Sequence, residues 1–314
     1  MRRPQVVPDA SLPTSVTVYE VGPRDGLQNE DAVVPAAVKV ELVRRLLDAG
    51  LPVVEATSLV HPRWVPQLAD AEEVLGLLVD GLGDRARDLP VLVPNARGLD
   101  RALDLGLRHV AVFASATETF ARRNLNTGLD EQWAMFEPVV SRALDAGMRV
   151  RGYVSMCFGD PWEGAVPLPQ VVTAVRRLVD LGVWEVSLGD TIGVGTPGHV
   201  VRLLDSLNVA GVPDSVLALH AHDTYGQALA NVLAALRHGV STFDASAGGL
   251  GGCPYAESAT GNLATEDLVW MLDGLGIATG VSLEPLVATS VWLGERLGKP
   301  SPSRVVRALS GVSV

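Results

Sequence analysis

Short runs of Val, Ile and Leu alternate along the chain with longer stretches whose apolar residues recur every three to four positions. The short runs, at 16–21, 52–56, 90–93, 109–114, 150–155, 184–188, 216–220 and 241–245, predict β-strands. Between them the spacing predicts helices over 36–49, 65–79, 99–105, 131–146, 169–181, 197–207 and 225–238. Gly50, Gly106, Gly147, Gly182 and Gly239 stand directly after five of these stretches, where glycine ends a helix in a left-handed cap. Eight strands alternating with helices predict an α/β fold: a single (β/α)8 TIM barrel over about 16–277, with extra helices over about 282–314. An open doubly wound sheet fits less well, because no Gly-x-Gly-x-x-Gly follows the first strand. No Pro/Gly/Ser linker divides the 314 residues, so one catalytic domain is expected.

Composition narrows the function classes. Hydrophobic residues make up 47% of the chain, ample for a packed core. No apolar run approaches the roughly 18 residues of a membrane span. The first residues lack the apolar stretch of a secretory signal, and a cytoplasmic location is expected. A net charge of −11 argues against a nucleic-acid partner. Two cysteines, Cys157 and Cys253, make no disulfide framework.

In such a barrel, binding and catalytic groups gather at the C-terminal ends of the strands. Those ends carry Glu20, Arg24, Asp25 and Gln28, then Glu55 and Ser58, then Asn95, Ser115 and Thr117. Ser155, Cys157, Asp190, Thr191, His220, His222, Asp223, Cys253 and Asn262 follow. The opposite ends offer nothing comparable, and this one-sidedness argues for an enzyme. His220 and His222 are two apart, so on a strand both imidazoles share a face. With a carboxylate from Asp25 or Asp190 they could hold a metal; two strand-end histidines satisfied by hydrogen bonds is the alternative. His61, His109, His199 and His238 read as surface or capping residues. Residues 189–198 (GDTIGVGTPG) resemble a phosphate loop only superficially, because Thr196 and Pro197 make a good helix start.

The stretch 244–267 (DASAGGLGGCPYAESATGNLATED) places Gly248, Gly249, Gly251 and Gly252 around Cys253. Glycines let a backbone bend and approach a ligand. The loop read alone allows either a reactive thiol or an inert, buried one.

The segments VYEVGPRDGLQNE (18–30), EATSLVHPRWVPQLAD (55–70), VRGYVS (150–155), SLGDTIGVGTPG (187–198), HAHDTYGQALAN (220–231) and GGLGGCPYAESATGNLATEDLV (248–269) resemble the hydroxymethylglutaryl-CoA lyase family. The resemblance implies cleavage of 3-hydroxy-3-methylglutaryl-CoA to acetyl-CoA and acetoacetate, as in leucine degradation. It implies a divalent cation, Mg2+ or Mn2+, held by Asp25, His220, His222 and Asn262. Arg24 would stabilise the enolate, and Cys253 would act in proton transfer. Glu55, Asp190 and Ser58 would orient the substrate or its partners, and Gln28, Asn124 and Tyr153 would line the acyl-CoA site. A homo-oligomer, dimer or tetramer, is implied as well.

Asp31 stands where vertebrate members carry a lysine, and Thr127 replaces a cysteine often found there. These departures bear on acyl preference and regulation. Three other readings share many of the motifs: a lyase for a larger 3-hydroxy-3-alkylglutaryl-CoA homologue, a related acyl-CoA condensing enzyme or carboxyltransferase, and a non-catalytic barrel. Carboxyltransferases use a modified lysine as ligand, and Lys39 and Lys299 both lie away from the strand ends.

Overall fold

The structure, a computed structural model, describes residues 3–252 and 261–311. Its strand segments are β1 Thr17–Glu20, β2 Val53–Val54, β3 Thr57–Ser58, β4 Val91–Leu92, β5 His109–Ser115, β6 Arg149–Ser155, β7 Glu185–Asp190, β8 Leu217–Ala221 and β9 Thr242–Ala245. All pair in parallel, in the order β2-β1-β9-β8-β7-β6-β5-β4-β3. The two ends of that order are one stretch of chain, interrupted only by Glu55 and Ala56. Across the interruption, Glu55 N–H donates to Glu20 C=O at 2.9 Å and Ala56 N–H to Pro90 C=O at 3.0 Å. The second predicted strand is thus the seam: its first half pairs with β1 and its second with β4, and the sheet closes into an eight-stranded barrel.

The helices are α1 Ala36–Asp48, α2 Ala71–Leu82, α3 Ala96–Asp104, α4 Glu118–Leu125, α5 Glu131–Asp145, α6 Leu168–Asp180, α7 Pro197–Val209, α8 Ala228–His238, α9 Thr265–Gly274, α10 Leu283–Leu297 and α11 Arg304–Leu309. The helix expected from 65 starts only at Ala71; a short 3-10 turn, Pro66–Leu68, precedes it. There the Gln67 side chain is buried and bonded to the 30–34 segment, accepting from Val34 N–H and donating to Ala32 C=O, both at 2.8 Å. The short α4, between β5 and α5, is an element that the apolar spacing did not reveal. At α7 the reading of Thr196 holds: a capping box joins Thr196 and His199, with Pro197 at the first helical position.

Strand periodicity sorts the side chains. In β6, Val150 and Val154 join the apolar layer between sheet and helices, whereas Arg151 and Tyr153 point into the lumen. Gly152 lies on the helix side, where a Cβ would come 2.8 Å from Leu178 of α6. In β8 the apolar layer takes Leu217, Leu219 and Ala221, and His220 takes the lumen. Strands covered on both faces read as nearly continuous apolar runs, and that is why the repeat was visible.

Candidate metal centre and active site

β1 leads into one turn of π-helix, Gly22–Gly26. The amides of Arg24, Asp25 and Gly26 all reach Val21 C=O, at 3.1, 2.7 and 3.2 Å. Such π-helical turns occur often at functional sites. Glu20 braces this one: its Oε1 accepts Gly22 N–H and Ala247 N–H, both at 2.8 Å, tying the turn to the loop after β9.

The turn delivers Arg24 and Asp25 to the rim. Arg24 Nε donates to Glu55 Oε1 at 2.8 Å and its Nη1 to Asp25 Oδ1 at 2.5 Å. The Tyr153 hydroxyl donates to the other oxygen of Glu55, and the guanidinium lies 5.3 Å from the Tyr153 ring centroid. Burial works against the charge on Arg24, but Glu55 and Asp25 more than offset it and its pKa is raised. Burial likewise works against the Asp25 carboxylate, but Arg24, His220 and His222 hold its pKa well below the usual range.

His220, on β8, and His222, just beyond it, meet Asp25 from the other side. One ligand atom from each of the three residues falls within a span of 4.8 Å. Burial first, then His220, pulls the pKa of His222 down to about 4, so its imidazole is neutral at neutral pH. Asn262 pairs its backbone with His222. Its amide nitrogen donates to Asp25 Oδ2 and to Leu250 C=O, both at 2.9 Å. This leaves Asn262 Oδ1 and His222 Nδ1 buried with no hydrogen-bond partner among the described residues. Unpaired buried acceptors are costly, and a cation would satisfy both. Arg24 and Arg151 ion-pair with Asp25, Glu55, Glu185 and Asp244, two formal positive charges against four negative. With an unprotonated His220 beside Asp25 and Asp244, a divalent cation would balance the surplus. The donor set therefore fits one: a carboxylate, two imidazoles and an amide oxygen.

The other expected site residues are placed unevenly. Tyr153 and Glu55 belong to the cluster. Asp190 ends β7 on the helix-side parity of Val186 and Leu188, and both its oxygens accept from Gly195 N–H, at 3.1 and 3.0 Å. Burial pushes its pKa to about 6; it braces the loop before α7 and is near enough to feel His220. Ser58 Oγ turns to Leu92 C=O at 3.3 Å and accepts Val60 N–H at 3.2 Å, so it shapes the backbone beyond β3. Gln28 is half-buried just after the π-turn, and Asn124 is exposed on the last turn of α4. Cys253 lies outside the described residues.

Two lumen residues were missed, Arg151 and Asp244. Asp244 accepts from Arg151 Nη2 at 2.6 Å, from Ser187 Oγ at 2.8 Å, and meets His220 Nδ1 at 3.3 Å. The clue was present: charged residues in mid-strand of a buried parallel sheet demand partners.

A closed parallel barrel with a carboxylate–imidazole cluster at its strand ends, beside an ion-paired arginine, defines a class of α/β-barrel proteins with a candidate cation site at the rim. The chain belongs to the HMGL-like family, which it matches over residues 15–292. It is 52% identical over 299 residues to the mitochondrial hydroxymethylglutaryl-CoA lyase of Arabidopsis thaliana. That alignment takes in 95% of this chain, which spans 63% of the plant protein's length. The crystal structure of the Pseudomonas aeruginosa hydroxymethylglutaryl-CoA lyase superposes with a TM-score of 0.90 at 46% identity, covering 96% of this chain and 99% of that one. An HMG-CoA lyase from Acinetobacter baumannii, in complex with coenzyme A and 3-methylmalate, superposes with a TM-score of 0.88 at 34% identity, covering 98% of this chain and 99% of that one. Among the described residues no helix is long and apolar enough to cross a membrane.

Proposed function

We propose that this chain is a divalent-cation-dependent carbon–carbon lyase that splits 3-hydroxy-3-methylglutaryl-CoA into acetyl-CoA and acetoacetate. One observation carries the reading: the Asp25–His220–His222 cluster, its ligand atoms within 4.8 Å, beside the buried guanidinium of Arg24. The similarity to hydroxymethylglutaryl-CoA lyases, one of them with coenzyme A bound, supports it.

The reaction removes the proton of the tertiary hydroxyl and breaks the adjacent C2–C3 bond. The oxygen on C3 becomes the ketone of acetoacetate. The electron pair of the broken bond passes to C2 as the thioester enolate, and a proton delivered to C2 completes acetyl-CoA. Asp25, His220, His222 and Asn262 would hold the cation. When bound, it lowers the pKa of the substrate hydroxyl and orients the substrate. Asp25 is assigned the hydroxyl proton on its motif; Arg24 keeps it ionised and a weak base, so the transfer requires that the hydroxyl itself be made more acidic. Arg24 supplies fixed positive charge where the enolate develops, and Glu55 with Tyr153 fixes the guanidinium plane. Cys253 is assigned the protonation of C2 on its motif. Gln28, Ser58 and Asn124 are assigned acyl-CoA binding or orientation on theirs, and Asp190 the orientation of the substrate or its partners. Oxygen donors from Asp25 and Asn262 favour Mg2+ or Mn2+ over soft, thiolate-seeking metals.

The test is acetyl-CoA release from a panel of 3-hydroxy-3-alkylglutaryl-CoA thioesters, using chelated protein reloaded with Mg2+ or Mn2+. The methyl compound should turn over fastest and only with cation. Preference for a larger alkyl group would move the substrate to the homologous lyase reaction. Full turnover after exhaustive chelation, or no acetyl-CoA from any thioester, would overturn the reading.

A further inference from the structure

We infer that Asp244 and Arg151 are positioning residues for the cation site: they hold His220 as its Nδ1–H tautomer, so that the bare Nε2 faces the cation. The inference rests on the cation reading above and concerns two residues that act from beneath it.

Asp244 sits in β9 in register with His220 of β8, fully buried in the lumen. Three donors reach its oxygens: Arg151 Nη2 on Oδ1 at 2.6 Å, and Arg151 Nη1 and Ser187 Oγ on Oδ2 at 3.2 and 2.8 Å. Each oxygen thus faces an N–H of Arg151, which can only donate, so the carboxylate has no proton to give. Between Asp244 Oδ2 and His220 Nδ1, 3.3 Å apart, the donor is the imidazole. A neutral imidazole carries one N–H, which leaves Nε2 with a free lone pair. Nε2 is also the nitrogen on the Asp25 side, 3.9 Å from Asp25 Oδ2. A histidine that ligates a metal commonly has its tautomer set this way, by what its other nitrogen donates to.

Arg151 keeps Asp244 in place. Its Nε donates to Glu185 Oε2 at 2.7 Å. Its guanidinium carbon lies 3.8 Å from the Tyr19 ring centroid and 4.8 Å from that of Tyr153. Held by two carboxylates and two rings, it cannot swing away, and the acceptor oxygen stays under His220.

Asp244→Asn tests this. The short contact at Oδ1 keeps the amide oxygen on Arg151 Nη2, while the NH2 gives up the longer Arg151 Nη1 contact and turns toward His220 Nδ1, which reverses the tautomer. The primary measurement is the 15N NMR of histidine-labelled, cation-free wild-type protein, at a pH where His220 is neutral, with His220→Gln assigning the resonance among the six histidines. Wild type should show Nδ1–H and a bare Nε2. Folded Asp244→Asn should show Nε2–H and bind Mn2+ about 10- to 100-fold more weakly, the usual cost of losing such a partner. Ser187→Ala, which spares both Arg151 contacts, should stay within about threefold of wild type in Mn2+ affinity. An Nε2–H tautomer in wild type, or a folded Asp244→Asn with wild-type tautomer and Mn2+ affinity, would overturn the inference. If Asp244→Asn does not fold, the wild-type tautomer decides alone. Failure of wild type to bind Mn2+ would sink the cation reading, while the tautomer still decides whether Asp244 governs His220.

Discussion

Arg24 and Glu55 form a buried ion pair, Nε to Oε1 at 2.8 Å, and the hydroxyl of Tyr153 closes on the remaining oxygen of Glu55. The guanidinium is thereby oriented before any substrate arrives, so its charge acts without reorganisation. Arg24→Gln should lower kcat on the order of 10³-fold while changing KM little, as for loss of an oxyanion donor. Tyr153→Phe removes the hydroxyl that braces Glu55 and should cost roughly tenfold, about the value of one hydrogen bond to a charged group. A loss seen in KM alone for Arg24→Gln would show that the guanidinium merely binds substrate.

Two buried carboxylates make the fold sensitive to alkaline pH. Glu266 accepts Gly248 N–H at 2.9 Å and bonds Ser290, and Glu20 accepts Thr265 Oγ1 at 2.6 Å. Burial pushes Glu266 up to about 8 and Glu20 up to about 7, from an ordinary 4.5. A raised folded pKa means that the native state holds the proton more tightly than the unfolded chain. This stabilisation is therefore full below the ordinary carboxylate pKa and is lost as pH rises through about 7 and then 8. The melting temperature should fall from about pH 5 to about pH 9, and Glu266→Gln should flatten the fall. Parallel curves for variant and wild type would exclude Glu266 as the source.

Gly251 has φ +101°, and a Cβ there would come 2.5 Å from Asn262 Nδ2. Gly251→Ala should displace Asn262, weaken Mn2+ binding about tenfold or more, and cost about 1–3 kcal/mol of stability through the unfavourable φ. Calorimetric titration with Mn2+ and thermal melts measure the two effects separately. Wild-type Mn2+ affinity would mean that Asn262 contributes nothing to holding the cation.

The two thiols should behave oppositely. Cys157 is buried, its Sγ donates to Val154 C=O at 3.1 Å, and burial pushes its pKa up to about 12. Alkylation of native protein should therefore label Cys253 alone, as peptide mass mapping would show, and a substrate analogue should slow it. Cys253→Ser should lose roughly 10²- to 10⁴-fold in rate. Turnover at the wild-type rate would make that thiol structural, and labelling of Cys157 in native protein would contradict its burial.

Much of the site was legible because the residues that carry it fall at strand ends in short, distinctive motifs. His220 and His222 share a face through the period-two geometry of a strand, and Arg24–Asp25 follows β1 directly. Arg151 and Asp244 escaped because they lie inside strand runs, where apolar neighbours dominate the pattern. Their meaning depends on partners about 90 positions apart in the chain, an ion pair that no periodicity encodes. Asp190 had the expected sequence setting but gives both oxygens to the Gly195 N–H of its own loop.

The alternating architecture, the rim at which polar groups gather and the donor types available there are written in the order of residues along the chain. Those follow from local rules: apolar period, glycine caps, and strand alternation. Only the tertiary structure decided how the barrel closes, with Glu55 and Ala56 splitting one strand between β1 and β4. It alone brought Asn262 against Asp25, 237 positions away, and set an arginine–aspartate pair under His220. These are contacts between residues remote in the chain. They arise because closing the sheet forces buried charges together in the lumen, where each must find a partner or lose its charge.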